Sequence, residues 1–177
     1  MITIRKATTA DIDTLREVGC QTYREHFSTL WSPTGMHGFL EQDFSSNALR
    51  KSLDLPGRHA WFMALDQQGN AVGYAKVNWA VPAPLTGEVG AELQKIYLLK
   101  SAAALGYGKQ LLWFVRDEVA RRGEQLLWLD VLKTNANAQG FYEAFGFRRM
   151  GEIPFSTDLV DIGMVVMGLQ PKQQAQR

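Results

Sequence analysis

At 177 residues and 46% hydrophobic content, the chain has room for one domain with a full core. A net charge of +1 with no basic stripe argues against a nucleic-acid partner, and no apolar run approaches the roughly 18 residues of a membrane span. The single cysteine, Cys20, excludes an internal disulfide, while His26, His37 and His59 are scattered without ligand spacing, so no metal is expected. The segment Met1 to Arg5 also lacks the apolar stretch of a signal peptide, and the expectation is a soluble, cytoplasmic protein without a membrane partner.

Ile2 to Ala7 alternates as a first strand. Thr8 or Thr9 then caps a helix with acids in its first turn, which shows one face through Ile12, Leu15, Val18 and Gly19 and runs to Phe27. Ser28 to Gly35, with Trp31-Ser-Pro33, reads as a loop, followed by helical pieces around Met36 to Leu40 and Asn47 to Leu53. Ala60 to Leu65 and Ala71 to Trp79 read as two strands joined by the turn Asp66 to Asn70. A proline-containing loop at Val81 to Gly87 precedes a strand from about Val89 to Leu98.

The most informative stretch follows. Ala103-Ala-Leu-Gly-Tyr-Gly-Lys109 lies between that strand and a helix, Gly106 to Arg122, whose Leu111, Leu112, Val115 and Val119 share one face. A glycine turn at a strand-to-helix junction leaves backbone N–H groups free to hold a diphosphate at the positive end of the helix, although it can also be no more than a tight turn. Leu126 to Val131 is the next strand. Asn135 to Phe145 is a helix ended by Gly146, whose Asn135 and Asn137 suit either a capping role or a ligand contact. Phe147 to Ile153 and Ile162 to Leu169 form a final hairpin, and residues 170–177 have no apolar anchor and should be disordered. Exposed aromatics in that hairpin would fit a homodimer.

This order of strand, glycine turn, helix, strand, Asn-x-x-Ala-x-x-Phe-Tyr helix and Gly-Phe resembles the GNAT family of N-acetyltransferases. The resemblance implies a single α/β domain over residues 1–169, built on a mixed central sheet of about seven strands with a splayed pair at the acetyl-CoA site and helices on its flanks. It implies that acetyl-CoA is the cosubstrate, with Ala103, Ala104, Leu105, Gly106, Tyr107, Gly108 and Lys109 around its diphosphate. The main chain of Ile96, Tyr97 and Leu98 would lie along the pantetheine arm, with Asn135 and Asn137 as further contacts. Ala103 departs from the Gln or Arg usual at that position, which removes a side chain but not the backbone donors.

The chemistry so implied is direct transfer of an acetyl group to an amine. Tyr142, a phenol protonated at neutral pH, would be the acid, and Glu92 the base, directly or through water, unless it serves only a salt bridge. Glu88 is less well placed. Tyr23, Phe27, Trp31 and Phe39 are either substrate walls or ordinary core aromatics. Thr22 to Phe27, Ser32-Pro33, Met36, Phe39 to Glu41, Leu93 to Tyr97 and Phe155 look most like the PaiA-type polyamine acetyltransferases. That implies a small-molecule amine such as spermidine or spermine, held by acids drawn from Glu25, Glu41, Asp43 and Asp158. A different amine, a protein N-terminus, or a nonenzymatic acyl-CoA sensor are the alternatives.

Overall fold

In the computed structural model, which describes residues 1–171, strand β1 (Thr3–Lys6) leads into a capping box. Thr8 Oγ1 accepts from Ala10 N, and the Asp11 carboxylate accepts from Thr8 N at 2.8 Å. Arg5 holds the same carboxylate through both terminal nitrogens, at 2.8 and 2.9 Å, so the start of helix α1 (Ile12–Phe27) is tied to the sheet. The expected loop of Ser28 to Gly35 proves shorter, because helix α2 (Pro33–Phe44) begins at Pro33. Ser32 is its cap, accepting from Gly35 N at 3.0 Å, and Pro33 fills the first helical position where a missing N–H costs nothing. The Ser-Pro pair is a helix start here, not a loop signal. A short helix α3 (Ser46–Leu53) follows, capped by Ser45.

The strands β2 (His59–Leu65), β3 (Ala71–Pro82), β4 (Val89–Leu98), β5 (Leu127–Leu132), β6 (Arg148–Ile153) and β7 (Met164–Leu169) complete one sheet with β1, in the order β1-β2-β3-β4-β5-β7-β6. Only β4 and β5 run parallel, joined by helix α4 (Tyr107–Arg121), and helix α5 (Ala136–Phe145) links β5 to β6. The result is a seven-stranded mixed sheet flanked by helices in one α/β domain, as the family resemblance implied. Residues 172–177, most of the segment expected to be disordered, lie outside the described residues.

Strand alternation gives the sheet two covered faces. Ala75, Val77, Leu93, Leu127 and Leu129 pack under α4, against the fully buried Leu111, Leu112, Val115 and Val119. Trp61, Met63 and Tyr74 face the other way, into a core closed by Leu15, Leu40, Phe44 and Leu49 from α1, α2 and α3. Of the two α4 aromatics off the main stripe, Phe114 joins the α4-side core beside Phe62 at 5.3 Å, whereas Trp113 is 44% exposed and lies near Phe145 of α5. In the final hairpin Phe147 is buried and Phe155 half-buried, so of the exposed aromatics expected there only part of the Phe155 ring reaches the surface.

The feature that positions the site is where β4 and β5 part. Gly90 lets them approach, since a Cβ there would lie 2.5 Å from the carbonyl oxygen of Leu126, and Ala91 N donates to that oxygen at 2.8 Å. Pairing continues only to Glu92, opposite Trp128. Immediately beyond, Val77 pairs with Leu93 but Lys76 with Lys95, so Gln94 is an extra residue on β4. This bulge turns β4 away with β3 as its remaining neighbour, while β5 stays paired with β7 as far as Leu132.

Candidate active site

The gap between the parted strands opens into a cavity of about 770 Å³. On its β4 wall, Leu99 N donates to Val72 O at 2.8 Å, so the main chain of residue 99, and by alternation that of Tyr97, points into the ladder with β3. The N–H and C=O groups of Ile96 and Leu98 therefore face the gap. Of the three main-chain partners expected there, Tyr97 is the exception, and what it lends the cavity is its side chain. The Leu98 carbonyl also accepts from His26 Nε2 of α1 at 2.9 Å, a cavity residue that periodicity gave no reason to choose.

At the mouth lies the glycine turn. Ala104 and Gly106 both take left-handed conformations, with φ of 65° and 78°, and Gly106 sits as the cap of α4 with open space where a Cβ would be. The first helical acceptor is Gly106 O, taken by Gln110 N at 3.3 Å, which leaves the N–H groups of Tyr107, Gly108 and Lys109 without helical partners. Ala103, Ala104, Gly106, Tyr107, Gly108 and Lys109 all line the cavity, but Leu105 does not and is 57% exposed. The Lys109 ammonium lies over the Trp113 ring, 4.9 Å from its centre. Asn135 lines the cavity while its side chain caps α5 by accepting from Ala138 N at 3.1 Å, so its two suggested placements coexist. Asn137 is exposed outside the cavity.

Tyr142 of α5 and Glu92 of β4 both line the cavity. Burial first, and the charge of Asp130 second, hold the Tyr142 phenol well above its ordinary range, so it stays protonated across neutral pH. Glu92 accepts from Asn78 Nδ2 at 2.8 Å, and Asn78 in turn accepts from His59 Nδ1 at 2.7 Å, an arrangement that fixes the amide's orientation. A third group was not singled out from sequence: Asp130, on β5 within the run read simply as an apolar strand. It lines the cavity on the same sheet face as Glu92, and desolvation followed by the Glu92 charge pushes its carboxyl up, with Lys95 opposing. A lone acid in an otherwise apolar strand is the sequence signal that could have found it.

The remaining lobe lies against α1 and α2. Tyr23 stacks on Phe39 with ring centres 4.2 Å apart and lies 4.6 Å from Phe27, while Trp31 is 5.7 Å from Phe39. All four line the cavity and also pack against the helical core, so wall and core are one surface. Burial pushes the Tyr23 phenol up to about 12. Lys95 of β4, only 6% exposed, binds Asp43 of α2 at 2.5 Å. The other acids expected at the entrance are engaged as well: Glu41 with Arg16 at 3.5 Å, Glu25 with Lys100 N at 3.1 Å, and Asp158 with Ser32 N at 3.1 Å and the Ser32 hydroxyl. With Thr157 Oγ1 donating to Leu30 O at 2.5 Å, these last contacts join the β6–β7 loop to the α1–α2 turn across the lobe's rim. Among the described residues no group of His, Cys, Asp or Glu could hold a metal, and no helix is long and apolar enough to cross a membrane.

A cavity at two parted parallel strands, with a glycine turn feeding a helix N-terminus at its mouth, can be compared with known proteins. The profile described as the acetyltransferase (GNAT) family matches residues 17–147. An uncharacterized N-acetyltransferase in the pepI 3′ region of Lactobacillus delbrueckii subsp. lactis is 32% identical over 148 residues, covering 82% of this chain and 83% of that one. Among solved structures, the PaiA N-acetyltransferase of Thermoplasma acidophilum, in complex with coenzyme A, superposes with a TM-score of 0.74 at 20% identity, covering 96% of this chain and 99% of that one. The ribosomal-protein-S18-alanine N-acetyltransferase of Escherichia coli gives 0.73 at 21% identity, with coverages of 99% and 97%. The structural likenesses establish the fold, and the profile match and the curated relative establish descent: this chain belongs to the GNAT acetyltransferase family, whose acyl donor is acetyl-CoA.

Proposed function

We propose that the enzyme acetylates a primary amine directly, with Glu92 and Asp130 receiving the amine's proton and Tyr142 protonating the departing thiolate. The observation that carries this reading is that two carboxylates and a protonated phenol line one cavity at the gap between β4 and β5, with the charge of Glu92 acting on Asp130 and that of Asp130 on Tyr142. Bound acetyl-CoA supplies an acyl thioester. The Ile96 and Leu98 main chain offers donors and acceptors to the pantetheine amides, and the open N–H groups of Tyr107 to Lys109 offer the positive end of α4 to the diphosphate. Ala103, Ala104 and Asn135 bound the same path.

An amine arrives as an ammonium and must shed a proton before it can attack. Two carboxylates at the gap attract the ammonium and take that proton; as the carbon–nitrogen bond forms and the carbon–sulfur bond breaks, the thiolate gains the phenolic proton, and the second proton of the nitrogen passes through water to the phenolate, leaving a neutral amide, the CoA thiol and one proton on the carboxylates. Asn78 keeps Glu92 aimed, and crowding between Glu92 and Asp130 makes one of the pair the better proton acceptor. The likeness to PaiA-type enzymes by itself suggests a polyamine such as spermidine or spermine, whereas Glu92 and Asp130 support only the single cationic head that any primary amine brings to the gap.

An assay of CoA release from acetyl-CoA across a panel of small amines and short peptides with free N-termini tests the reading. Turnover with at least one amine, lost in Tyr142→Phe, is expected. Protein that binds acetyl-CoA but releases no CoA with any acceptor would instead leave a binding protein, the sensor reading.

A further inference from the structure

The charges around the acceptor lobe are divided unevenly. Three carboxylates line the cavity: Glu92, Asp130 and Asp43. Among the described residues Glu92 hydrogen-bonds only the neutral amide of Asn78, and neither Glu92 nor Asp130 forms an ion pair, although the Lys95 charge also acts on Asp130, so both can receive a cation at the gap. Asp43, on the α2 side, is already bound to Lys95. The Lys95 ammonium is itself buried over the faces of Phe39 and Phe44, 5.2 and 5.3 Å from their centres. Its cross-strand neighbour on the same face is a second lysine, Lys76, whose ammonium lies over Trp61 at 5.4 Å.

A second ammonium entering beyond the gap would lose its water, find no further unpaired carboxylate lining the cavity and stand beside the Lys95 cation. The Phe39 face that could otherwise receive it is occupied by Lys95. An unpaired cation is costly there, whereas an alkyl chain or ring against Tyr23 and Phe27 would gain from leaving water. The joined rim at Leu30 and Thr157, and at Ser32 and Asp158, leaves the lobe suited to a compact body in place of a polypeptide.

We propose that the acceptor is a small primary amine with one cationic head and an apolar body, alkyl or aryl, and that Lys95, by occupying Asp43, sets this preference against polyamines. This rests on the transfer reading above and names the class of amine it acts on. With Lys95 uncharged, Asp43 would stand free as the third carboxylate a polyamine needs.

Calorimetry on CoA-loaded protein, titrated separately with phenethylamine and spermidine, reads the preference without turnover. Wild type should bind phenethylamine more tightly by about tenfold or more. Lys95→Met should tighten spermidine by about tenfold, and the double variant Lys95→Met/Asp43→Asn, which removes both charges of that pair, should return to the wild-type preference. Wild type that binds spermidine more tightly, or binds neither amine, overturns the proposal, as does a Lys95→Met protein that melts like wild type with an unchanged ratio. If Lys95→Met does not fold, the wild-type ratio and the double variant decide. The expected preference without acetyl transfer to either amine would sink the transfer reading while leaving the binding preference, and the part of Lys95 in it, standing.

Discussion

Asn78 Nδ2 donates to Glu92 Oε1 at 2.8 Å, one strand away across the β3–β4 ladder, and His59 donates to the far side of the same amide. Glu92 is thus held at the gap by a neutral donor, which leaves its charge available to an incoming ammonium. Glu92→Gln should keep the Asn78 contact through its remaining carbonyl oxygen while losing the charge. The expected outcome is a fall in kcat/KM of roughly a hundredfold with the acidic limb of the pH profile displaced. A profile superposable on wild type would assign the proton to Asp130 or to water.

Asp130 carries a prediction in stability as well as in rate. Its folded-state pKa lies above the ordinary carboxylate value, from burial first and Glu92 second, so the fold prefers the neutral carboxyl. The contribution to stability is full below the unfolded-state pKa and is lost as pH rises through the folded-state one. Unliganded Asp130→Asn should therefore melt slightly higher than wild type at neutral pH, with the difference shrinking as pH falls into the carboxylate range, while its turnover drops. Thermal melts at several pH values check the sign.

Tyr142→Phe deletes a hydroxyl and keeps a ring that packs 5.6 Å from Phe147. Turnover should fall by roughly a hundredfold or more, with melting temperature and CoA affinity close to wild type. Steady-state rates within about twofold of wild type would leave thiolate departure unassisted, far short of what general acid catalysis supplies.

Gly108 separates ligand approach from folding. A Cβ there would meet Leu98 Cδ1 at 3.6 Å and Phe141 Cζ at 3.9 Å, ordinary contacts, and the residue is helical. Gly108→Ala should thus fold as well as wild type, or better by up to about 1 kcal/mol. Coenzyme A affinity should nonetheless weaken by roughly tenfold, because the methyl group stands beside the open N–H groups. Calorimetry and a melt on the same sample give both numbers. Gly106, at φ 78°, would confound the test with backbone strain.

Much of this protein is set by interactions within a few residues, and those features are readable in order along the chain. Alternation marks the strands, the period of Leu111 to Val119 marks α4, Asn135 and Gly146 bound α5, and the Gly106 turn marks the start of α4, because caps, turns and periodicity are local. The motifs of that stretch also identify the family, and with it the roles expected of Tyr142 and Glu92. What the tertiary structure decided depends on register. The extra residue Gln94 determines which β4 main-chain groups face the gap and excludes Tyr97, and the parting of β4 from β5 is what places Asp130 on the Glu92 side of one cavity. The engagement of Asp43 by Lys95, 52 positions away, turned an expected recognition carboxylate into a neutralised pair. Electrostatic partners are chosen by distance in space, and no periodicity along the chain encodes a contact that a bulge and two helices must first bring together.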